Sequence, residues 1–288
     1  MTDGPTMRPR DWALLCLPGL LWGTSFYFIA EGLEAFPAAL ITPMRVAVGF
    51  MVLALFPASR RAIPRSDWPK IALLGVVWMA YPLTMFPYAE QHVSSSVTGM
   101  LNGATPLFVA AVASVITRRL PPRRQMLGLF VGSLGVVLIA LPTLGEGQSS
   151  ALGVAQIISA LMCYGLALNI AAPLQQRHGA LPVLWRTQAV ALVLTTPLGL
   201  VHLDEVEFAW GPFLAIVALG VLGTSFAYVL AATNAGRLGS TRASVTTYII
   251  PVVSLALGAL VRNETVAVLA VLGCAVALFG AWLAGRRG

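Results

Sequence analysis

The chain repeats itself. At a constant offset of 145 residues, Ser95 falls on Ser240, Pro106 on Pro251, Leu127-Gly128 on Leu272-Gly273 and Gly135 on Gly280. The same offset carries Phe36-Pro37 onto Leu181-Pro182 and Leu74-Gly75-Val76 onto Leu219-Gly220-Val221. One register without gaps, over about a hundred residues of each half, marks a duplication. Both copies are apolar runs punctuated by proline, so whatever one half folds into, the other must build again.

Composition says where those runs lie. The chain is 58% hydrophobic and 10% charged, with a mean hydropathy of +0.83. A soluble domain carries about 25% charged residues to cover its surface, so this chain belongs in lipid. Apolar runs of about 20 residues, enough for a helix to cross the hydrocarbon core, are expected at 11–33, 37–57, 68–88, 94–117, 124–142, 150–172, 181–200, 210–232, 241–261 and 264–284. The first follows Arg8 and Arg10 as a signal peptide would, yet so many spans come after it that it reads as a retained helix. Cys16, Cys163 and Cys274 sit singly in apolar runs and read as packing residues, with no disulfide or metal-ligand spacing.

An even number of spans puts both termini on one side, and charge decides which. With the termini cytoplasmic, 16 of the 18 basic residues fall inside; Arg262 lies outside and Arg45 within a span. Glu31, Glu34, Glu90, Glu146, Asp204, Glu205, Glu207 and Glu264 fall outside. The basic bias sets the orientation, and it disposes of the nucleic-acid reading that a net charge of +7 would otherwise invite. Five spans per copy, an odd number, make the halves (1–143 and 144–288) inverted repeats, a build shared by many secondary transporters. The expected fold is therefore an all-α membrane protein of ten transmembrane helices in two inverted five-helix repeats.

Within the spans, Pro106 and Pro251 lie roughly 15–18 Å deep at 1.5 Å per residue, near the midplane from opposite sides. Proline there frees a carbonyl. A packing kink and a shared gating role are both open, and the duplication favours the second. Ser94, Thr98, Asn102 and Thr105 recur at helical spacing, as do Ser240, Ser244, Thr247, Tyr248 and Pro251, with Asn102 aligned on Thr247. Hydroxyls can satisfy themselves on their own helix; the Asn102 amide cannot, which favours a cavity or interhelix contact. Trp22, Tyr81, Tyr164 and Tyr248 lie too deep for an interfacial belt and are open to core packing or a pocket. Trp22, Tyr81, Asn102, Tyr164, Thr247 and Tyr248 are the expected lining of a neutral, aromatic, hydrogen-bonding site. Arg45 could meet a substrate carboxylate or serve structure, and Glu31 is either exposed or paired with it. Gly128-x-x-x-Gly132 is a small-residue face for close helix contact.

The residues Trp22-Gly23-Thr24-Ser25-Phe26, Phe36-Pro37 with Met44-Arg45, and Leu238-Gly239-Ser240-Thr241-Arg242-Ala243-Ser244 continuing to Pro251 and Glu264 resemble the drug/metabolite transporter superfamily, EamA type. The likeness covers nearly the whole chain. It implies ten helices in two inverted halves, a path between helices one to four and six to nine, and peripheral fifth and tenth helices. Amino-acid exporters of the YddG kind look nearest. This chain departs in having Ala30 then Glu31 where the family often has Lys, and Arg119 where an acid would match Glu264.

Export of amino acids or similar small metabolites across a bacterial inner membrane is the leading expectation, with organic-cation export the alternative. No acid is expected deep in any span, which disfavours the cation. An intramembrane enzyme would need paired acids or gathered histidines; His92 and His202 fall on one side and His178 on the other. A non-transporting scaffold gives the duplication little purpose. No catalytic residue, metal or cofactor is expected, and the partners are a small solute and the bilayer, with the protein a monomer or weak homodimer.

Overall fold

The computed structural model describes residues 9–145, 147–238 and 245–285. Arg8, Glu146, Gly239, Ser240, Thr241, Arg242, Ala243, Ser244, Arg286 and Arg287 lie outside them. Among the described residues every regular element is helical: α1 Pro9–Gly32, α2 Ala38–Ala54, α3 Arg65–Glu90, α4 Ser95–Thr117 and α5 Arg123–Leu144 in the first half. In the second half follow α6 Gln148–His178, α7 Ala180–Leu200, α8 210–238, α9 Val245–Leu260 and α10 Val268–Gly285. α3 to α8 and α10 are long and apolar enough to cross a membrane, and α2 and α9 are shorter apolar helices. The faces they turn outward are apolar too: on α5, Leu127, Phe130, Leu134, Val137 and Leu141 are all exposed at helical spacing. Such a continuous stripe is unsupportable in water and ordinary in lipid.

Glycines set the close contacts. Gly128, Gly132 and Gly135 of α5 press against the backbone or side chains of their neighbours, with Gly273, Gly280 and Ala284 of α10 meeting α5 backbone to backbone. The small-residue face is thus used within the chain. The pair runs antiparallel, since Gly128 meets Ala284 while Gly135 meets Ala277. α1 and α9 run parallel, Gly19 meeting Thr246 and Ile249, Gly23 meeting Ile250 and Val253. α4 and α9 cross where Gly103 receives the Pro251 ring and Gly99 receives Ser254.

Two helices are widened at matching places. Gly75–Ala80 in α3 and Leu219–Phe226 in α8 are π-helical, and Gly75 and Gly220 are partners at the 145-residue offset. Single π turns inside α-helices are rare and concentrate at functional sites. Their local causes differ. In α3, Pro82 has no N–H to return to the preceding turn. In α8, Thr224 and Ser225 donate their hydroxyls five residues back, to the Leu219 and Gly220 carbonyls, at 3.1 Å each. Gly75 then packs on Val190 of α7 and Gly220 on Val48 of α2, so each widened helix leans on the second helix of the other half.

Candidate functional site

A cavity of about 710 Å³, part of it open to solvent, lies between the halves and is lined from α1, α2, α3, α4, α6, α8 and α9. α5 and α10 contribute nothing to its wall. Of the six residues expected to line a site, Trp22, Asn102, Tyr164 and Thr247 do so. Tyr81 and Tyr248 are placed elsewhere. Tyr81 follows the π turn of α3, is 39% exposed and donates its hydroxyl to Ser159 Oγ on α6 at 3.0 Å. Tyr248 packs against the main apolar core.

The aromatic wall is a linked set. Trp22 and Trp78 each meet the Tyr228 ring edge-on, with centroids 5.2 and 5.3 Å apart. Phe26 meets Phe86 at 5.6 Å and Phe86 meets Tyr164 at 5.9 Å. Such pairs fix ring planes as well as filling space. Trp22 also donates its indole N–H to the Gly223 carbonyl at 3.2 Å, inside the π turn.

The prolines free carbonyls at the wall. Pro106 cannot donate to the Asn102 carbonyl four residues earlier, and α4 is broken there, between Ser95–Asn102 and Thr105–Thr117. Thr105 Oγ1 supplies the missing donor at 2.6 Å. Pro251 stands in the same relation to Thr247, yet α9 continues through it unbroken. Asn102 is 8% exposed, and its amide nitrogen donates to nothing among the described residues.

Arg45 is 3% exposed and lines the cavity. Its Nε donates to Thr224 Oγ1 at 3.0 Å, and the Thr224 carbonyl in turn accepts from Gln188 Nε2 at 2.8 Å. The π turn of α8 thus holds the guanidinium by one edge. Glu31 does not pair with it.

One end of the cavity is latched. Glu264, in the α9–α10 connection, accepts at Oε1 from the Ser95 N–H (3.0 Å) and hydroxyl (2.7 Å), and at Oε2 from the Ser96 N–H (2.9 Å) and hydroxyl (2.5 Å). A carboxylate at a helix N-terminus meets the positive end of the macrodipole and its free N–H groups. Burial pushes the Glu264 carboxyl up, but the four hydrogen bonds outweigh it and hold the group below the ordinary carboxylate range. Two residues earlier, Arg262 pairs with Glu31 and, at 3.1 Å, with Glu34 at the end of α1. At the opposite end, Asp67 Oδ2 meets His178 Nε2 at 2.7 Å and Arg177 at 3.4 Å, tying the start of α3 to the end of α6.

Glu90 departs from the loop position that the sequence leads one to expect. It ends α3, both carboxylate oxygens are buried, and neither has a hydrogen-bond partner among the described residues. Trp78, Thr224 and Tyr228 escape a sequence reading as site residues: the first two lie inside π turns and Tyr228 just after one, off the 3.6-residue projection.

The family model described as the EamA-like transporter family matches residues 12–141 and again 151–286. An uncharacterized transporter of Archaeoglobus fulgidus is 24% identical, over 96% of this chain and 99% of its own. The transporter YdfC of Bacillus subtilis is 27% identical over 90% and 86%. A protein named "Probable terminal-alkyne amino-acid exporter", from Streptantibioticus cattleyicolor, is 26% identical over 96% and 93%. A solved crystal structure superposes with a TM-score of 0.66 at 18% identity, covering 96% of this chain and 97% of its own.

Proposed function

The chain belongs to the EamA-like transporter family, and on that premise we propose that it is a secondary transporter exporting small metabolites, amino acids foremost, across the bacterial inner membrane. The observation that carries this is the cavity. It sits where both halves contribute wall, and Asn102 and Thr247, equivalent at the 145-residue offset, both face it. A relative named as an amino-acid exporter supports the substrate class. So does the lining, which holds the Arg45 cation and, among the described residues, no Asp or Glu to pair with an organic cation.

In this reading all ten helices span, the repeats are inverted, and both termini are cytoplasmic. The parallel α1–α9 and antiparallel α5–α10 and α4–α9 pairs suit that topology. The latch of Glu264 and Arg262 then closes the outer face. Alternating access follows if the latch opens while the opposite end closes, with the α4–α9 crossing at Pro106 and Pro251 as the moving joint. The test is counterflow of labelled neutral amino acids in proteoliposomes, against a quaternary ammonium compound in the same vesicles. Flux of the amino acids supports the reading; flux of the cation alone refutes it.

A further inference from the structure

Arg45 is the unusual group in the cavity. A guanidinium has five N–H donors in a fixed fork and cannot shed its charge. Here the Nε edge is anchored on Thr224, while neither terminal nitrogen donates to any group among the described residues. No ion pair among the described residues involves it. The acid whose field reaches it is Glu90, which does not line the cavity. A buried cation without a counter-ion is among the most unfavourable things a protein can hold. A fork left unengaged on a residue that lines a cavity suits a planar, two-oxygen anion.

The remaining wall is selective in what it lacks. Among the described residues no carboxylate lines the cavity, so no anionic side chain there pairs with an ammonium. Beside Arg45, which has no ion pair among the described residues, an ammonium is disfavoured further. Trp22, Trp78 and Tyr228 offer rings to an apolar tail, and the free Asn102 amide adds a second polar donor.

We propose that the cavity is a carboxylate site that is indifferent to the amino group. The substrate's carboxylate docks on the two terminal nitrogens of Arg45 and its tail lies among the rings. Accepted substrates are then small monocarboxylates with uncharged tails. Zwitterionic amino acids qualify through their carboxylate alone; amines and amino-acid amides do not. This rests on the transport reading of the cavity, but concerns which atoms of the solute are read.

The experiment is ligand-induced thermal stabilisation of the purified full-length protein, with phenylalanine, N-acetylphenylalanine, 3-phenylpropanoate and phenylalaninamide as probes. The three acids should stabilise at comparable concentrations and the amide should not. Arg45→Gln should weaken all three acids by about 30-fold or more. Arg45→Lys keeps the charge and loses the fork, and should weaken them less. An amide that binds as well as the acids, or a phenylalanine effect that N-acetylation abolishes, overturns the proposal. The wild-type series decides even if Arg45→Gln fails to fold. Acids that bind without counterflow would sink the transport reading and leave this one standing; counterflow with an amide would do the reverse.

Discussion

In the proposed topology, Glu264→Gln should open the outer face. The carboxylate accepts four hydrogen bonds from Ser95 and Ser96. Glutamine keeps one oxygen for Ser95 and turns an NH₂ toward the Ser96 N–H, where donor faces donor. The Ser96 hydroxyl can rotate and accept instead, so the net loss is one backbone bond and the charge on the rest. A hydrogen bond to a charged group contributes about 1.5–3 kcal/mol, and a charge at a helix N-terminus about 0.3–1 kcal/mol. The side chain is 14% exposed, so screening is slight. The latch should weaken by about 2–3 kcal/mol, or roughly 30- to 150-fold in the open-to-closed ratio. The probe is Thr105→Cys on the cavity wall, with Cys16, Cys163 and Cys274 replaced. A membrane-impermeant maleimide added outside intact cells should label it faster by that factor when Glu264→Gln is present. An unchanged labelling rate would show that the Glu264 contacts do not hold the outer face shut.

The same latch has a pH signature. Glu264 is depressed in the closed form, so its contribution is full above the ordinary carboxylate value and is lost as pH falls through the lowered one. Outside labelling of the Thr105→Cys protein, divided by the labelling of a free thiol at the same pH to remove the loss of thiolate, should stay flat from neutral pH down to about 4 and rise only below it; a rise near pH 6 would point to another group. Glu90→Met replaces a buried carboxylate that has no hydrogen-bond partner among the described residues by an apolar chain of similar size, and should raise the unfolding temperature in detergent by an amount corresponding to about 1–3 kcal/mol. A lowered midpoint would mean the carboxylate has a partner after all. Pro106→Ala and Pro251→Ala each restore an N–H to a cavity-wall carbonyl, and should slow counterflow while leaving membrane insertion intact. Wild-type rates in both would reduce these prolines to kinks.

Much of the architecture is legible in the sequence because it is written in spacing. Apolar runs, glycine faces and a 145-residue offset survive projection onto a regular helix, and helices form close to every expected run. Asn102 is legible for the same reason: an amide deep in an apolar run needs a cavity or a partner. The π turns are not. Their causes, a proline that also looks like a simple kink and two hydroxyls bonding five residues back, leave no periodic trace. Tyr81 falls outside the cavity lining, while Tyr228 joins it and Thr224 holds the Arg45 guanidinium that does. Nor can spacing reveal contacts across 169 residues, as between Glu264 and Ser95. Glu90 reads as a loop acid because it stands beside a turn, and only packing could bury it.

Passage of solute through the cavity between the halves is tested most directly by a covalent plug, read by counterflow of a labelled neutral amino acid in proteoliposomes. In a background lacking the native cysteines, a bulky maleimide on Thr105→Cys should abolish flux. The same reagent on Tyr81→Cys, outside the cavity wall, should leave flux largely intact. Flux that survives a fully modified Thr105→Cys protein would contradict the account, because the solute would then be crossing by another route.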